Sequence, residues 1–160
     1  MMRAFSLAEA KGWLDAGCAS GDLESVAFTG VSTDTRTLEQ GQLFVALRGE
    51  NFDGHRFLQQ ALAKSAVGLV VDTPDNSVEL PQLVVDDTLD ALARLALGNR
   101  GESKASILAI TGSSGKTTVK EMCAAILSQM GKTLSTKGNL NNHIGVPLPC
   151  LVFRQSISMA

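Results

Sequence analysis

Apolar residues fall along this chain in short blocks whose spacing alternates between helical and extended periods. Leu7, Ala10 and Leu14 share one helical face, and the preceding Ser6-Leu-Ala-Glu9 is a capping-box pattern. In that pattern the Ser6 hydroxyl accepts from the Glu9 amide and the Glu9 carboxylate reaches back to Ser6. The reading predicts a helix running to about Gly17, a residue that suits a helix stop. VAFTGVSTDTR (26–36) reads as a strand entering a loop dense in hydroxyls, with one Asp–Arg pair. QLFVAL (42–47) is an apolar run fit for a buried strand, and the polar RGENFDGHRF (48–57) reads as a loop after it. Phe57, Leu58, Ala61 and Leu62 then repeat at helical spacing. VGLVVD (67–72) and PQLVVDD (81–87) read as two more buried strands, separated by the turn-rich TPDNS (73–77). Leu89, Leu92, Ala93, Leu95 and Ala96 predict a helix ending near Asn99.

GNRGESKAS (98–106) carries no apolar periodicity, so a domain boundary is placed there. Beyond it, ILAIT (107–111) reads as a buried strand, followed by a Gly-rich loop and a helix. Val119, Met122, Cys123, Ile126, Leu127 and Met130 form a stripe at helical spacing, predicting that one face lies on a sheet and that Gly131 ends the helix. KTLSTKGNLNNHIGVPL (132–148) offers a short strand at best and then an Asn-rich loop.

Composition narrows the function classes. The chain has 160 residues, 44% hydrophobic and 19% charged, which reads as globular and long enough for a real core. A net charge of −2 gives no electrostatic reason to expect nucleic acid or an anionic membrane as partner. The N-terminal stretch has no continuous apolar run, so neither a signal peptide nor a membrane span is read there. Cys18, Cys123 and Cys150 are widely spaced without a C-x-x-C, which reads as incidental thiols in a reducing compartment.

The chemistry concentrates in TGSSGKTT (111–118). A full phosphate-loop pattern would place glycine at position 110, where this chain has Ile110; what remains is G-x-x-G-K-T from Gly112 to Thr117. The chemistry survives the shortening. Gly112 and Gly115 allow a tight turn, so that amides around Ser113, Ser114 and Thr118 converge on a phosphate at the helix N-terminus. Lys116 can reach β- and γ-phosphates, and the Thr117 hydroxyl suits Mg²⁺, which favours hard oxygen donors. The competing reading is a Gly-turn cap with an exposed lysine. A strand before the loop and an amphipathic helix after it favour the nucleotide reading.

Three stretches together resemble the Mur ligase family, in its D-alanyl-D-alanine-adding branch: GVSTDTRTLEQGQLFVALRGENFDGHRF (30–57), TGSSGKTTVKEM (111–122) and GNLNNHIGVPL (138–148). The missing first glycine fits the shortened loop of that family. The resemblance covers residues 1–148 and implies an α/β protein. Residues 1–101 would be an N-terminal α/β UDP-muramoyl-peptide-binding domain. Residues 102–148 would be the incomplete start of a P-loop parallel-sheet ATPase domain. The implied reaction is ATP- and Mg²⁺-dependent amide formation in the cytoplasm. The terminal carboxylate of UDP-N-acetylmuramoyl-tripeptide becomes an acyl phosphate, which the amine of D-alanyl-D-alanine attacks. Positioning and charge neutralisation are then the protein's main tasks, with Lys116 and Thr117 as catalytic groups and Thr117 on the metal.

By the same resemblance Ser32, Thr33, Asp34, Thr35 and Arg36 form the uridine-nucleotide loop, and Asn139, Asn141 and Asn142 contact the substrate's diphosphate and sugar. The residues alone leave a second reading open, in which Asp34 and Arg36 tie down their own loop and the amides hold theirs. Gly49–His55 resembles a second substrate-facing loop, with a structural turn role for Asp53 and His55 equally open. A monomer is expected.

PCLVFRQSISMA (149–160) departs from the family's continuation and is expected to be an aberrant tail. Back-translated with AGY serine codons from the third base of the Arg154 codon, it permits Pro-Glu-His-Gln-Tyr-Gly, the turn that the family would have there. A frameshift near residues 148–150 is the expectation, and an unrelated in-frame nucleotide sequence would refute it. A chain of this extent is expected to be a substrate-binding domain with an incomplete ATPase, and not to ligate by itself. The alternatives are a non-catalytic uridine-nucleotide-binding module and, more weakly, a small P-loop kinase.

Overall fold

The computed structural model describes residues 4–49, 52–103 and 105–136. Its first strand, β1 (Phe5–Ser6), runs directly into α1 (Leu7–Leu14) through the capping box expected from the sequence. Ser6 Oγ accepts from the Glu9 amide at 3.1 Å, and Glu9 Oε2 accepts from the Ser6 amide at 2.8 Å. The helix stops earlier than expected. Asp15 takes a left-handed cap at φ 52°, its amide donating to the Lys11 carbonyl, and Gly17 already opens β2 (Gly17–Ser20).

The 26–36 stretch is two strands, β3 (Ala27–Phe28) and β4 (Val31–Ser32). β3 pairs antiparallel with β1, whereas β4 joins a different sheet, so Thr29 and Gly30 mark a change of sheet. The main sheet has the order β2-β9-β8-β5-β4, with β5 (Leu43–Val45), β8 (Gly68–Val71) and β9 (Gln82–Val84) at its centre. β4, β5, β8 and β9 are parallel, and β2 closes one edge antiparallel to β9.

The side chains of the central strands go to two cores, as a parallel sheet covered on both faces requires. Leu43, Val45, Val70 and Leu83 pack with Leu7, Ala10 and Leu14 of α1 and with Leu92 and Leu95 of α3 (Thr88–Glu102). Phe44, Ala46, Leu69 and Val71 pack on the other face with Leu58 and Ala61 of α2 (Leu58–Ala63). Full burial of each leucine, valine or phenylalanine among them is worth about 1.5–3 kcal/mol. Trp13 lies so close to α3 that a Cβ at Gly98 would sit 2.2 Å from the indole. Gly98 is therefore an interior helix residue, chosen for close approach, and α3 runs three residues past the expected end at Asn99.

Two of the connections between parallel strands carry no helix. Residues 33–42 link β4 to β5 through turns closed by Thr37 N to Asp34 O (3.1 Å) and Gln42 N to Glu39 O (3.2 Å), with Leu38 buried as anchor. Residues 72–81 link β8 to β9. There the buried Gln82 carboxamide accepts from Asp75 N (3.0 Å) and donates to Asp75 O (2.7 Å), replacing the backbone pairing the loop lacks.

Beyond α3 the expected ILAIT strand is absent: residues 107–111 pair with no strand among the described residues. A parallel strand needs a neighbour to take its backbone donors and acceptors, and the described residues offer none there. α4 (Lys116–Met130) does form and ends at Gly131 as expected. Its apolar stripe does not lie on a sheet. No residue of α4 is buried, and Met122, Ile126 and Met130 are 61%, 60% and 81% exposed. No described helix is long and apolar enough to cross a membrane.

Candidate functional site

The carboxyl ends of parallel strands are where open α/β sheets bind ligands, because loops there converge above a rigid edge. Here those ends carry the 32–36 loop after β4, the 48–55 segment after β5, and Asp72 after β8. In the first loop the Ser32 hydroxyl donates to Asp34 O (3.0 Å) and accepts from Asp34 N (3.3 Å). Asp34 then takes Arg36 in a fork: Nε donates to both carboxylate oxygens at 3.0 Å, Nη2 to Oδ2 at 2.6 Å, and the Arg36 amide to Oδ1 at 2.9 Å. The side-chain hydrogen bonds from Arg36, with its amide second, draw the Asp34 carboxyl down to about 2. Thr35 turns inward, is buried, and donates to Gln60 Oε1 of α2 at 3.1 Å. Ser32 is buried as well, Thr33 and Asp34 are half-buried, and Arg36 is exposed. The geometry therefore realises the self-tied loop, leaving Thr33 and the outer edge of Arg36 toward solvent.

The described residues of the 48–57 segment take regular structure where the sequence predicts a loop. β6 (Arg48–Gly49) and β7 (Phe52–Asp53) form a two-pair hairpin leading into a 3-10 turn, Gly54–Phe57. The Asp53 carboxylate caps that turn, accepting from His55 N (3.0 Å), and those bonds lower its pKa. Gly54 is pressed onto the end of β5: its amide donates to Leu47 O (2.8 Å), and a Cβ would sit 2.9 Å from Ala46 and Leu47 backbone atoms. Arg48, Asp53, His55 and Asp72 come together at this edge, and exposed Phe52 stacks on Phe57 with ring centroids 5.8 Å apart. Sequence reasoning passed over Arg48 and Asp72. The signal available was an acidic residue closing the apolar run GLVVD, where a parallel strand delivers its carboxyl end.

In the glycine-rich loop Gly112 and Gly115 have φ values of 154° and 72°, both favouring glycine. Gly115 is the N-cap of α4, and no side chain caps that helix, so its first amides face outward with the positive end of the helix dipole. Lys116 Nζ donates to Gly112 O at 2.5 Å, closing a small ring across the loop. Ser113, Ser114, Thr117 and Thr118 are exposed. Cys123 is a free thiol. The described residues contain no group of three His, Cys, Asp or Glu that could hold a metal. Asn139, Asn141, Asn142 and the 149–160 tail lie outside the described residues.

A mostly parallel sheet covered on both faces, with loops gathered at its carboxyl edge, followed by a glycine turn and a lysine-led helix, defines an α/β protein. Comparison with known proteins names the group. "Mur ligase family, catalytic domain" matches residues 27–100, and "Mur ligase middle domain" matches residues 110–160. The chain belongs to the Mur ligase family. It is 54% identical over 134 residues to the UDP-N-acetylmuramoyl-tripeptide--D-alanyl-D-alanine ligase of Escherichia coli (strain K12), covering 82% of this chain and 29% of that one. With the Bacillus subtilis (strain 168) ligase of the same description it shares 41% identity over 144 residues, 89% of this chain and 32% of the relative. The chain thus spans about a third or less of these curated relatives. A MurF crystal structure from Acinetobacter baumannii superposes with a TM-score of 0.87 at 37% identity, over 96% of this chain and 34% of that one. The MurF ligase of Thermotoga maritima, solved in complex with ADP, superposes at 0.67 with 32% identity, over 76% of this chain and 28% of its own.

Proposed function

We propose that this chain is the uridine-nucleotide and phosphate-loop portion of an ATP-dependent ligase that joins D-alanyl-D-alanine to UDP-N-acetylmuramoyl-tripeptide in the cytoplasm. The observation that carries the reading is the conjunction of the 54% identical relative with the uncapped, glycine-turned N-terminus of α4. Residues 1–101 act as the substrate unit and residues 102–148 begin the nucleotide unit. Thr33 and Arg36 offer a hydroxyl and a planar cation to the uridine diphosphate, while Ser32, Asp34 and Thr35 hold the loop in shape. Asn139, Asn141 and Asn142 supply further amides to the same substrate.

The loop fits an anion. The helix N-terminus without a side-chain cap, the Gly112–Gly115 turn and the adjacent Lys116 ammonium suit a triphosphate, which would take the lysine from the Gly112 carbonyl. Thr117 would offer one hydroxyl to Mg²⁺, whose role is to neutralise phosphate charge during transfer to the substrate carboxylate. Lys116 and Thr117 are thus the catalytic groups, with Gly112 to Thr118 as the cradle.

A polypeptide of these 160 residues leaves most of α4's apolar stripe exposed, with no residue of the helix buried. A phosphate cradle on an unsupported helix is not held to the sub-ångström geometry that transfer requires. The polypeptide on its own therefore acts as a monomeric uridine-nucleotide-binding module. Calorimetric titration is expected to show UDP binding. Incubation with ATP, Mg²⁺, UDP-N-acetylmuramoyl-tripeptide and D-alanyl-D-alanine is expected to release no stoichiometric phosphate. Amide product in that assay would overturn the inactive reading, and absence of UDP binding would overturn the substrate-unit reading.

A further inference from the structure

We propose that His55 is a positioning residue: its imidazole latches the β6–β7 hairpin to the carboxyl end of β8 and thereby fixes Arg48 and Phe52 on the ligand-facing edge. The effect on ligand rests on the uridine-nucleotide reading above; the latch itself does not.

The hairpin has only two residue pairs, Arg48 with Asp53 and Gly49 with Phe52. So short a ribbon does not hold its own conformation in water. Its base is fixed by Gly54 against β5, but nothing in that contact sets the direction of Arg48 or Phe52. His55 does. Its ring is 12% exposed and both nitrogens are engaged. Nε2 accepts from the Asp72 amide at 3.3 Å. The ring proton therefore sits on Nδ1, which donates to Asp53 Oδ1 at 2.8 Å. One imidazole thus joins the second strand of the hairpin to the residue that follows β8.

The remaining charged groups around the ring complete the lock. Arg48 Nη1 lies 3.2 Å from Asp72 Oδ2 and Arg48 Nε 3.7 Å from Asp53 Oδ1, so the guanidinium spans the two carboxylates that flank the imidazole. Asp72 Oδ1 and Arg48 Nη2 also lie near the ring, 3.2 Å from Nε2 and 3.5 Å from Nδ1, but the Nδ1–H tautomer makes no hydrogen bond to either. A ring that merely filled space would not need a donor on one nitrogen and an acceptor on the other. An apolar ring of similar size fills the same volume and breaks both links, leaving the Asp72 amide and Asp53 without their partner.

The test uses the 160-residue chain with three readouts. Long-range ¹⁵N–¹H NMR is expected to report the Nδ1–H tautomer for His55. H55F is expected to weaken UDP binding about tenfold, the size of one lost buried hydrogen bond. It should also speed amide exchange at Phe52 and Asp72 while α3 exchanges as before. H55Q, whose amide oxygen reaches the place of Nε2, is expected to restore most of both; H55N, too short for Asp72, is not. Should H55F lose α3 protection, the H55Q and H55N pair carries the comparison.

An Nε2–H tautomer, or UDP affinity unchanged in H55F while the wild type binds, overturns the proposal. If the wild type does not bind UDP, the uridine reading falls by itself and exchange decides the latch. Unaltered exchange at Phe52 and Asp72 in H55F then refutes it, and acceleration confined to those positions upholds it.

Discussion

Asp34 shows how a candidate ligand residue can be committed to its own loop. Its carboxylate takes the Arg36 fork and the Arg36 amide, and these bonds lower its pKa from 3.8 to about 2. A depressed carboxyl contributes stability that is fully present above its unfolded value and is lost as pH falls through its folded value. The loop tie is therefore expected to persist at neutral pH and to loosen between about pH 4 and 2. Carboxyl NMR titration should place the Asp34 midpoint near 2, and R36A should move it back toward 3.8. Because the Arg36 side chain is 87% exposed, the ion pair adds little to global stability, and R36A should leave the unfolding midpoint nearly unchanged. An Asp34 midpoint that stays put in R36A would show that the fork is not the cause. The Asp–Arg pair was legible from spacing alone. Burial of Thr35 against Gln60 was not, since the two meet only when α2 packs under the loop.

Helix formation and helix burial come apart between α3 and α4. Both were legible from apolar spacing, and both form with the same length of 15 residues. α3 starts at Asp87, whose side chain accepts from the Leu89 and Asp90 amides, and buries Ala91, Leu92, Leu95 and Ala96. α4 starts at an uncapped glycine and buries nothing. An isolated helix of that length is marginal in water, since most helical stability comes from packing an apolar face. Amides of α4 are therefore expected to exchange far faster than those of α3 in the 160-residue chain. Replacing Met122 and Ile126 together by Glu should improve solubility without moving the unfolding midpoint, because neither side chain is buried. Protection in α4 equal to that in α3 would sink the idea.

On the scale of the molecule, each buried hydrophobic among the described residues falls between Phe5 and Ala96. None of the described residues from 105 to 136 is buried. Cooperative unfolding should accordingly report the α/β unit alone. Deleting residues 105–160 is expected to shift its denaturation free energy by no more than about 0.5 kcal/mol, the range of changes that touch no core. Urea unfolding of the two lengths checks this, and a larger loss on deletion would show packing between the segments.

The sequence by itself determined the helices and the central strands. Apolar period and capping chemistry are local properties, so the Ser6–Glu9 box, β5, β8, β9, α3 and α4 could be read directly. It also determined the family, because the shortened G-x-x-G-K-T loop and its companions are contiguous motifs. Only the tertiary structure decided the split of 26–36 into strands of two sheets, the loss of the 107–111 strand, and the gathering of Arg48, Asp53, His55 and Asp72. Each depends on a partner distant in the chain. A strand exists only where a neighbour takes its hydrogen bonds, and four charged groups become one cluster only when parallel strands bring their carboxyl ends to a common edge.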